Sequence, residues 1–432
     1  MAPILSILIF VVALILIFSE KIQRTIVATV AAALMVGVGI GLGFYSEEEA
    51  IAAIDFETLG LLLGMMLLVV LLQQTGFFEY LAIMAGRLSR GNPVRLFILL
   101  GTITTVLSMF LDNVTTVVLI APVTILICEL LGINPLPMLI GEALLSDTGG
   151  TGTLVGDPPN ILIGAAAPFT FNDFLTRSLP IVIVTWLLVL LLLLWMFRKE
   201  LKAIPGAAEA VKKLDPAKAL HDPKSARRVL IVLGVAIVFF FIQSVVHLSP
   251  AFIALAAAGA ALLWIRPEDV SKTFEHVEWV VLIFFAALFV MVGGLEAAGV
   301  MEQLSRLLIQ VSDINPILLG VGMIWMVAGL SALVDNIPIT IALIPVIQHL
   351  GAEGVDVTPL WWALVFGAGF GGNGTIIGST ANIVVVSLSE KTRNPITSAL
   401  WIRRGLPVMI LACVVASVLY AIFFPWFTEY AG

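Results

Sequence analysis

Apolar runs long enough to cross a membrane follow one another along almost the whole chain, separated by short polar breaks. A bilayer core of about 30 Å needs roughly 20 helical residues. Candidate spans of that kind lie near residues 3–19, 26–44, 57–75, 136–168, 179–197, 228–246, 250–265, 279–295, 358–389 and 406–428. Two further apolar segments, 95–130 and 316–350, are interrupted by Leu111-Asp112-Asn113-Val114-Thr115 and Val334-Asp335-Asn336-Ile337-Pro338. Each is expected to be a re-entrant hairpin, two half-length arms meeting at a polar tip. The basic clusters Lys21/Arg24, Arg87/Arg90/Arg95, Arg198 to Arg228, Arg266/Lys272 and Lys391 to Arg404 then share one face, as the positive-inside bias requires. Both termini and Glu47-Glu48-Glu49 are expected outside. Residues 198–227, broken by Pro205, Gly206, Pro216 and Pro223, become a cytoplasmic linker. Gly76 to Leu88 and Gly299 to Leu308 resemble short amphipathic interfacial helices.

The chain repeats itself. Asp112-Asn113 recurs 223 positions later as Asp335-Asn336, and Gly76/Gly299 and Pro122/Pro345 keep that offset. At 222, Gly149-Gly150-Thr151-Gly152-Thr153 meets Gly371-Gly372-Asn373-Gly374-Thr375, and Asn160 meets Asn382. Five complete spans per copy is an odd number, so the second copy enters from the opposite side of the membrane, as in many secondary transporters. The expected fold is an all-α polytopic membrane protein of two inverted five-span repeats, 1–197 and 228–432. Each holds a hairpin and a broken helix, at 136–168 and 358–389. Glycine stretches also serve close helix packing. Here they are mixed with Thr, Asn, Asp and Pro158-Pro159 at bilayer depth, where unpaired backbone is costly unless it lines a cavity. A binding site explains the mixture better.

Composition narrows the function. With 60% apolar and 12% charged residues and a mean hydropathy of +1.12, no segment is sized for a soluble domain, and a net charge of -7 gives nucleic-acid binding no support. Cys128 and Cys413 have no CxxC or histidine neighbour, which indicates neither metal nor disulfide. The first run, Ile4 to Phe18, has no basic leader and is followed by Lys21 and Arg24, so it is expected to remain as a span rather than a cleaved signal. No Gly-x-x-x-x-Gly-Lys-Ser/Thr loop is present, although a separate ATPase subunit stays open. Leu154-Val155-Gly156-Asp157 lacks the first glycine of an intramembrane aspartyl protease motif, and an enzyme is not expected.

Four helix interruptions supply the polar groups. Half-helix N-termini offer N–H groups to anions or polar oxygens, and unwound carbonyls coordinate cations. Candidate solute-binding residues are Asn113, Thr115, Thr151, Thr153 and Asn160, with Asn336, Asn373, Thr375 and Asn382 in the second copy. Asp112 and Asp335 are the foremost candidates for ion coupling, because an intramembrane carboxylate needs a cation, a proton or a polar partner. Capping the next helix would serve as well. Glu142, Asp147 and Asp157 are further candidates, found in the first half alone, since Leu364, Gly369 and Ser379 occupy their places in the second. A Na+ site is expected near Asp112, Asn113 and Gly149 to Thr153. No cofactor is expected beyond H+ or Na+ as coupling ion. No Lys or Arg interrupts the apolar core near these motifs, which favours a neutral, monovalent or cation-compensated solute. Trp195, Trp264, Trp279, Trp401 and Trp426 are placed as an aromatic belt would be, and the four histidines in loops or near span ends.

The strings Leu111-Asp112-Asn113-Val114-Thr115-Thr116, Gly149 to Asn160 ending Gly156-Asp157-Pro158-Pro159-Asn160, and Gly371-Gly372-Asn373-Gly374-Thr375 resemble the signatures of the P protein and ArsB/NhaD permeases of the ion transporter superfamily. The resemblance covers nearly the whole chain. It implies a scaffold, a mobile domain with two opposed hairpins, a homodimer and an elevator-like movement in a cell (inner) membrane. Dicarboxylate members carry Ser-Asn-Thr at the tips, where this chain has Asp-Asn. The expected function is H+- or Na+-coupled export of arsenite, antimonite or a related small ion. Na+/H+ antiport, Na+-coupled dicarboxylate transport and an anion channel are the alternatives.

Overall fold

A computed structural model describes residues 1–18, 21–167, 169–202, 206–211, 214–267, 269–300, 315–390, 392 and 394–428. Helices account for its regular structure: α1 (Ala2–Phe18), α2 (Arg24–Leu42), α3 (Phe56–Gln73), α4 (Phe77–Ser89), α5 (Pro93–Ser108), α6 (Asn113–Leu131), α7 (Leu136–Gly150), α8 (Pro158–Ala166), α9 (Leu179–Met196), α10 (Pro223–Val246), α11 (Pro250–Ile265), α12 (Trp279–Ala297), α13 (Pro316–Leu333), α14 (Asn336–Ala352), α15 (Thr358–Gly371), α16 (Thr380–Ser389) and α17 (Ser398–Ile422). Short pieces such as Glu47–Ala52 and Phe424–Thr428 lie between or after them. Their ends follow local chemistry. Asn92 Oδ1 accepts from the Val94 and Arg95 N–H groups with Pro93 in the first turn, and at α13 Asn315 Oδ1 accepts from the Ile317 N–H with Pro316 in the first turn.

The duplication is visible in the starts of the helices. α3, α5 and α6 begin 223 residues before α12, α13 and α14, and α7 and α8 begin 222 before α15 and α16. The copies interlock. α2 packs on α12, α3 on α11 and α9 on α17, while the short arm α8 lies against α14 and α16 against α6. At the centre, α7 is buried from Pro137 through Gly150 and α15 along its whole length. α15 is apolar or small on nearly every side, as such a position favours, whereas α7 also carries Glu142 and Asp147 into the interior.

Eight helices among the described residues have the length and apolarity to cross a membrane, and the chain is a multi-pass membrane protein. Six correspond to expected spans, and the other two are α6 and α13. This corrects the expectation of half-length hairpin arms. The four arms hold 16, 19, 18 and 17 residues, about 24 to 28 Å at 1.5 Å per residue. Asp112 and Asp335 interrupt the runs as N-caps, so the apolar sequence on either side stays helical up to the tip. The linker also ends earlier than expected, because Asp222 and Pro223 start α10. Its short helices pack on α4 and α6. Phe77–Ser89 is helical as expected, whereas the expected helix over Gly299 to Leu308 falls almost wholly outside the described residues. Trp195, Trp264, Trp279 and Trp426 are exposed, but Trp401 is fully buried and donates its indole N–H to the Asn373 carbonyl. It is a core residue, not part of a belt.

Candidate functional site

A cavity of about 60 Å³ lies where the two tips meet. Its walls are the N-terminal ends of six helices: α2 at Arg24, α6 at Asp112 to Val114, α8 at Asp157 and Pro158, α12 at Glu278, α14 at Asp335 to Ile337, and α16 at Ser379 and Thr380. Leu62, Met66 and Val281 supply the apolar remainder. The positive dipole ends offset part of the charge of Asp112, Asp157, Glu278 and Asp335.

The tips differ. Asp335 Oδ2 accepts from Arg24 Nη1 at 2.9 Å and from Thr380 Oγ1 at 2.7 Å, and Oδ1 accepts from the Ile337 N–H at 3.1 Å. Arg24 reaches Thr380 Oγ1 at 2.7 Å and lies 5.2 Å over the Phe284 ring. Among the described residues no cation pairs with Asp112. Its Oδ1 accepts from the Thr115 N–H at 2.8 Å and its Oδ2 from Thr115 Oγ1 at 2.5 Å, and the same hydroxyl lies 3.3 Å from Glu278 Oε1. Both tip aspartates therefore cap helices and also line the cavity.

Behind the tips, Asn113 Nδ2 donates to Asp147 Oδ1 at 2.8 Å, Ser379 Oγ donates to the same oxygen at 3.0 Å, and Asn336 Nδ2 donates to Asp157 Oδ2 at 3.1 Å. Asp147 Oδ2 and Asp157 Oδ1 are buried without a hydrogen-bond partner among the described residues. Glu142 stands apart, one oxygen accepting from Thr124 at 2.5 Å and the other without a partner.

Other expected site residues hold the helix breaks in shape. Asn160 Nδ2 donates to the Gly150 and Thr153 carbonyls at 3.0 and 2.8 Å, and Asn382 Nδ2 to those of Gly372 and Thr375 at 2.9 and 3.0 Å. Thr153 and Thr375 donate to Met109 and Ala332 carbonyls, tying each break to its hairpin. Thr151 donates to the Asp147 carbonyl at 3.0 Å and Asn373 to Thr148 Oγ1 at 3.3 Å. These residues are absent from the cavity lining. The carbonyls of Gly149, Gly150, Thr151 and Thr153, expected to coordinate Na+, already accept hydrogen bonds. Among the described residues no three His, Cys, Asp or Glu side chains gather to hold a metal ion. Glycine is required at the break, because a Cβ on Gly156 would lie 2.5 Å from the Gly150 carbonyl oxygen and one on Gly378 2.6 Å from that of Gly372.

Arg24 corrects the expectation that no fixed positive charge lies near these motifs. It begins an apolar run and reads as a flanking positive-inside residue, yet the start of α2 brings it to the cavity. Glu278, Ser379 and Thr380 were also missed. Symmetry could not flag Arg24, whose counterpart 223 away is His247 at the end of α10, and the acidic counterpart of Glu278, Asp55, reads as the cap of α3.

The comparisons with known proteins agree with this architecture. A family model described as a citrate transporter, CitMHS, matches residues 14–367. A Mycobacterium tuberculosis protein, named as an uncharacterized transporter, is 41% identical over 427 residues, covering 96% of this chain and 97% of that protein. The human P protein is 33% identical over 482 residues, covering 93% of this chain and 57% of its own length. The crystal structure of the YdaH transporter of Alcanivorax borkumensis, described as having an unusual topology, superposes with a TM-score of 0.62 at 15% identity over 99% of this chain and 100% of that one. At that identity the likeness concerns the fold alone.

Proposed function

We propose, for a chain that belongs to the citrate transporter family CitMHS, that its secondary transport is coupled to H+ or Na+ through the carboxylates of the six-helix cavity. The observation that carries this is the meeting of Asp112, Asp157, Glu278 and Asp335 from both copies on one small cavity with a single guanidinium, Arg24. Carboxylates in so little space with one fixed cation favour binding of a proton or a small cation. Na+/H+ antiport is the reading that needs nothing further.

A second reading is Na+-coupled movement of a carboxylate. Arg24 favours it, because an anionic group can replace Asp335 on the guanidinium, and the family description points the same way. Export of arsenite or antimonite drew support from the missing fixed cation. Arg24 withdraws that support, and the metalloid cargo rests on family resemblance. The division into 1–197, linker and 228–432, and the elevator movement of a homodimer, belong to the same proposal.

Flux into proteoliposomes separates these readings, with Na+, di- and tricarboxylates and arsenite offered in turn, with and without a pH gradient. Proton movement driven by Na+ alone supports antiport, carboxylate flux dependent on Na+ supports the second reading, and gradient-dependent arsenite flux restores the third. Saturable counterflow distinguishes a carrier from an anion channel. Flux of every cargo indifferent to both ions would reject ion coupling.

A further inference from the structure

The contact geometry at Thr115 deepens that reading and rests on it for its role in transport. The Thr115 hydroxyl has one proton and faces two carboxylates, at 2.5 Å from Asp112 Oδ2 and 3.3 Å from Glu278 Oε1. It can donate to only one. Donation to Asp112, the shorter contact, leaves the Glu278 contact as oxygen against oxygen with no hydrogen between them. The contact becomes favourable when Glu278 carries a proton and donates it to Thr115 Oγ1. A relay then runs from Glu278 through Thr115 to Asp112, with one added proton serving two carboxylates.

A second, independent observation points to a ligand here. Asp157 lines the same cavity, is 1% exposed, and its Oδ1 has no hydrogen-bond partner. An orphaned carboxylate oxygen beside the relay is a ready ligand for a small cation once the relay has lost its proton. Asp335 is differently placed, since Arg24, Thr380 and the Ile337 N–H already hold both of its oxygens.

We propose that Glu278, Thr115 and Asp112 form a one-proton site that exchanges its proton for a monovalent cation, and that Asp335, clamped by Arg24, takes no part in the exchange. The balance is simple. One H+ leaves Glu278 for solvent, the pair gains one negative charge, and one Na+ restores it. Charged groups on the elements around Glu278 are Arg24 on α2, Asp112 on α6, Asp157 at α8 and Asp335 at α14, all lining the cavity. Lys272, Glu275 and His276 precede it on its own side. The His276 ring is turned to the Lys272 carbonyl at 2.6 Å.

Infrared titration of the purified protein in nanodiscs tests this without transport. Wild type is expected to show a deuterium-sensitive carboxylic acid C=O band that disappears as pH rises, and at fixed pH when Na+ is added. Glu278→Gln should abolish the band and Asp335→Asn should keep it. Glu278→Asp should restore it at a displaced midpoint, and Thr115→Val should displace the midpoint without removing the band. These two report if Glu278→Gln fails to fold. A titrating band that is the same in wild type and Glu278→Gln, or that vanishes in Asp335→Asn, overturns the assignment, and indifference to Na+ overturns the cation exchange. Absent ion-coupled flux with a normal titration sinks the transport reading alone. Normal flux with a band indifferent to Glu278 sinks the proton site alone.

Discussion

Replacing Arg24 with methionine keeps an unbranched side chain and deletes the guanidinium. The change removes hydrogen bonds of 2.9 Å to Asp335 and 2.7 Å to Thr380 and a cation contact 5.2 Å above Phe284. Breaking a fully buried pair costs about 3–5 kcal/mol because one charge is stranded. This pair is 25% and 12% exposed, so solvent screens part of the loss, while Asp335 keeps Thr380 and the Ile337 N–H. A destabilisation of about 2–3 kcal/mol follows, with Asp335→Asn costing less, about 1–2 kcal/mol, since its amide still faces Thr380. In the double variant no charge is stranded, so its cost should fall short of the sum by about 1–2 kcal/mol. Cys128 and Cys413 are both fully buried and unpaired, so a thiol-reactive dye reports melting without a label. Domains of about 150–250 residues lose about 2–4 °C per kcal/mol, and the larger entropy of unfolding of a longer chain reduces this to roughly 1–2 °C. The Arg24→Met melt is therefore expected about 2–6 °C below wild type. Single-variant losses that add in the double variant, or an unchanged melt for Arg24→Met, would refute the reasoning.

Four further outcomes are expected. Gly156→Ala and Gly378→Ala place a Cβ 2.5 and 2.6 Å from backbone oxygens, so each should cost at least about 1–3 kcal/mol; Gly322→Ala, with nothing within 4 Å, serves as a silent control in the same thiol melt. Asn160→Ala and Asn382→Ala each release two carbonyls across a break, and matched losses of about 1–3 kcal/mol are expected; a large effect in one alone would show that the breaks are not mechanically alike. Arg177→Ala strands Asp173 in a pair 4% and 6% exposed and should cost about 3–5 kcal/mol, more than Arg404→Ala, whose partner Glu200 is 35% exposed. At the start of α10, bonds from the Ser225 hydroxyl and N–H hold the Asp222 carboxyl below its ordinary range. Its capping contribution is therefore complete above the ordinary carboxylate pKa and lost as pH falls through the lowered one. Amide exchange at Lys224 and Ser225 should quicken relative to global exchange only in acid, and Asp222→Asn should flatten that profile.

What stood out most in the sequence was what occurs twice, although Asp157, found in the first half alone, was also a candidate and lines the cavity. Asp112/Asp335, Asn113/Asn336 and Asn160/Asn382 stand out because the copies keep them at a fixed offset, and the structure brings the two tip pairs together. Repetition could not tell residues that face the cavity from those that brace the break, since both sit among the same glycines. Asn160 and Thr153 proved to be braces. Repetition was also blind to Arg24, whose counterpart is His247, and the match of Glu278 with Asp55 reads as no more than an acid at a helix start. Each charge lies at the edge of an apolar run, where flanking the membrane is the ordinary explanation. Only the packing of α2 on α12 places both at the centre. The hairpin arms were underestimated because an Asp-Asn break resembles an interruption of a helix, when it is the cap that starts one.

Arg24 and Glu278 come from α2 and α12, which pack on each other, whereas their partners Asp335 and Thr115 belong to the two hairpins. The cavity thus lies between the α2–α12 pair and the tips of the two hairpins. In the elevator movement proposed above, hairpins sliding past that pair would break the Arg24–Asp335 salt bridge and the Thr115–Glu278 contact in one event, since both cross the same boundary. Occupancy of the relay would then act as a lock on that boundary, so that the protein's freedom to change shape depends on which ion it holds.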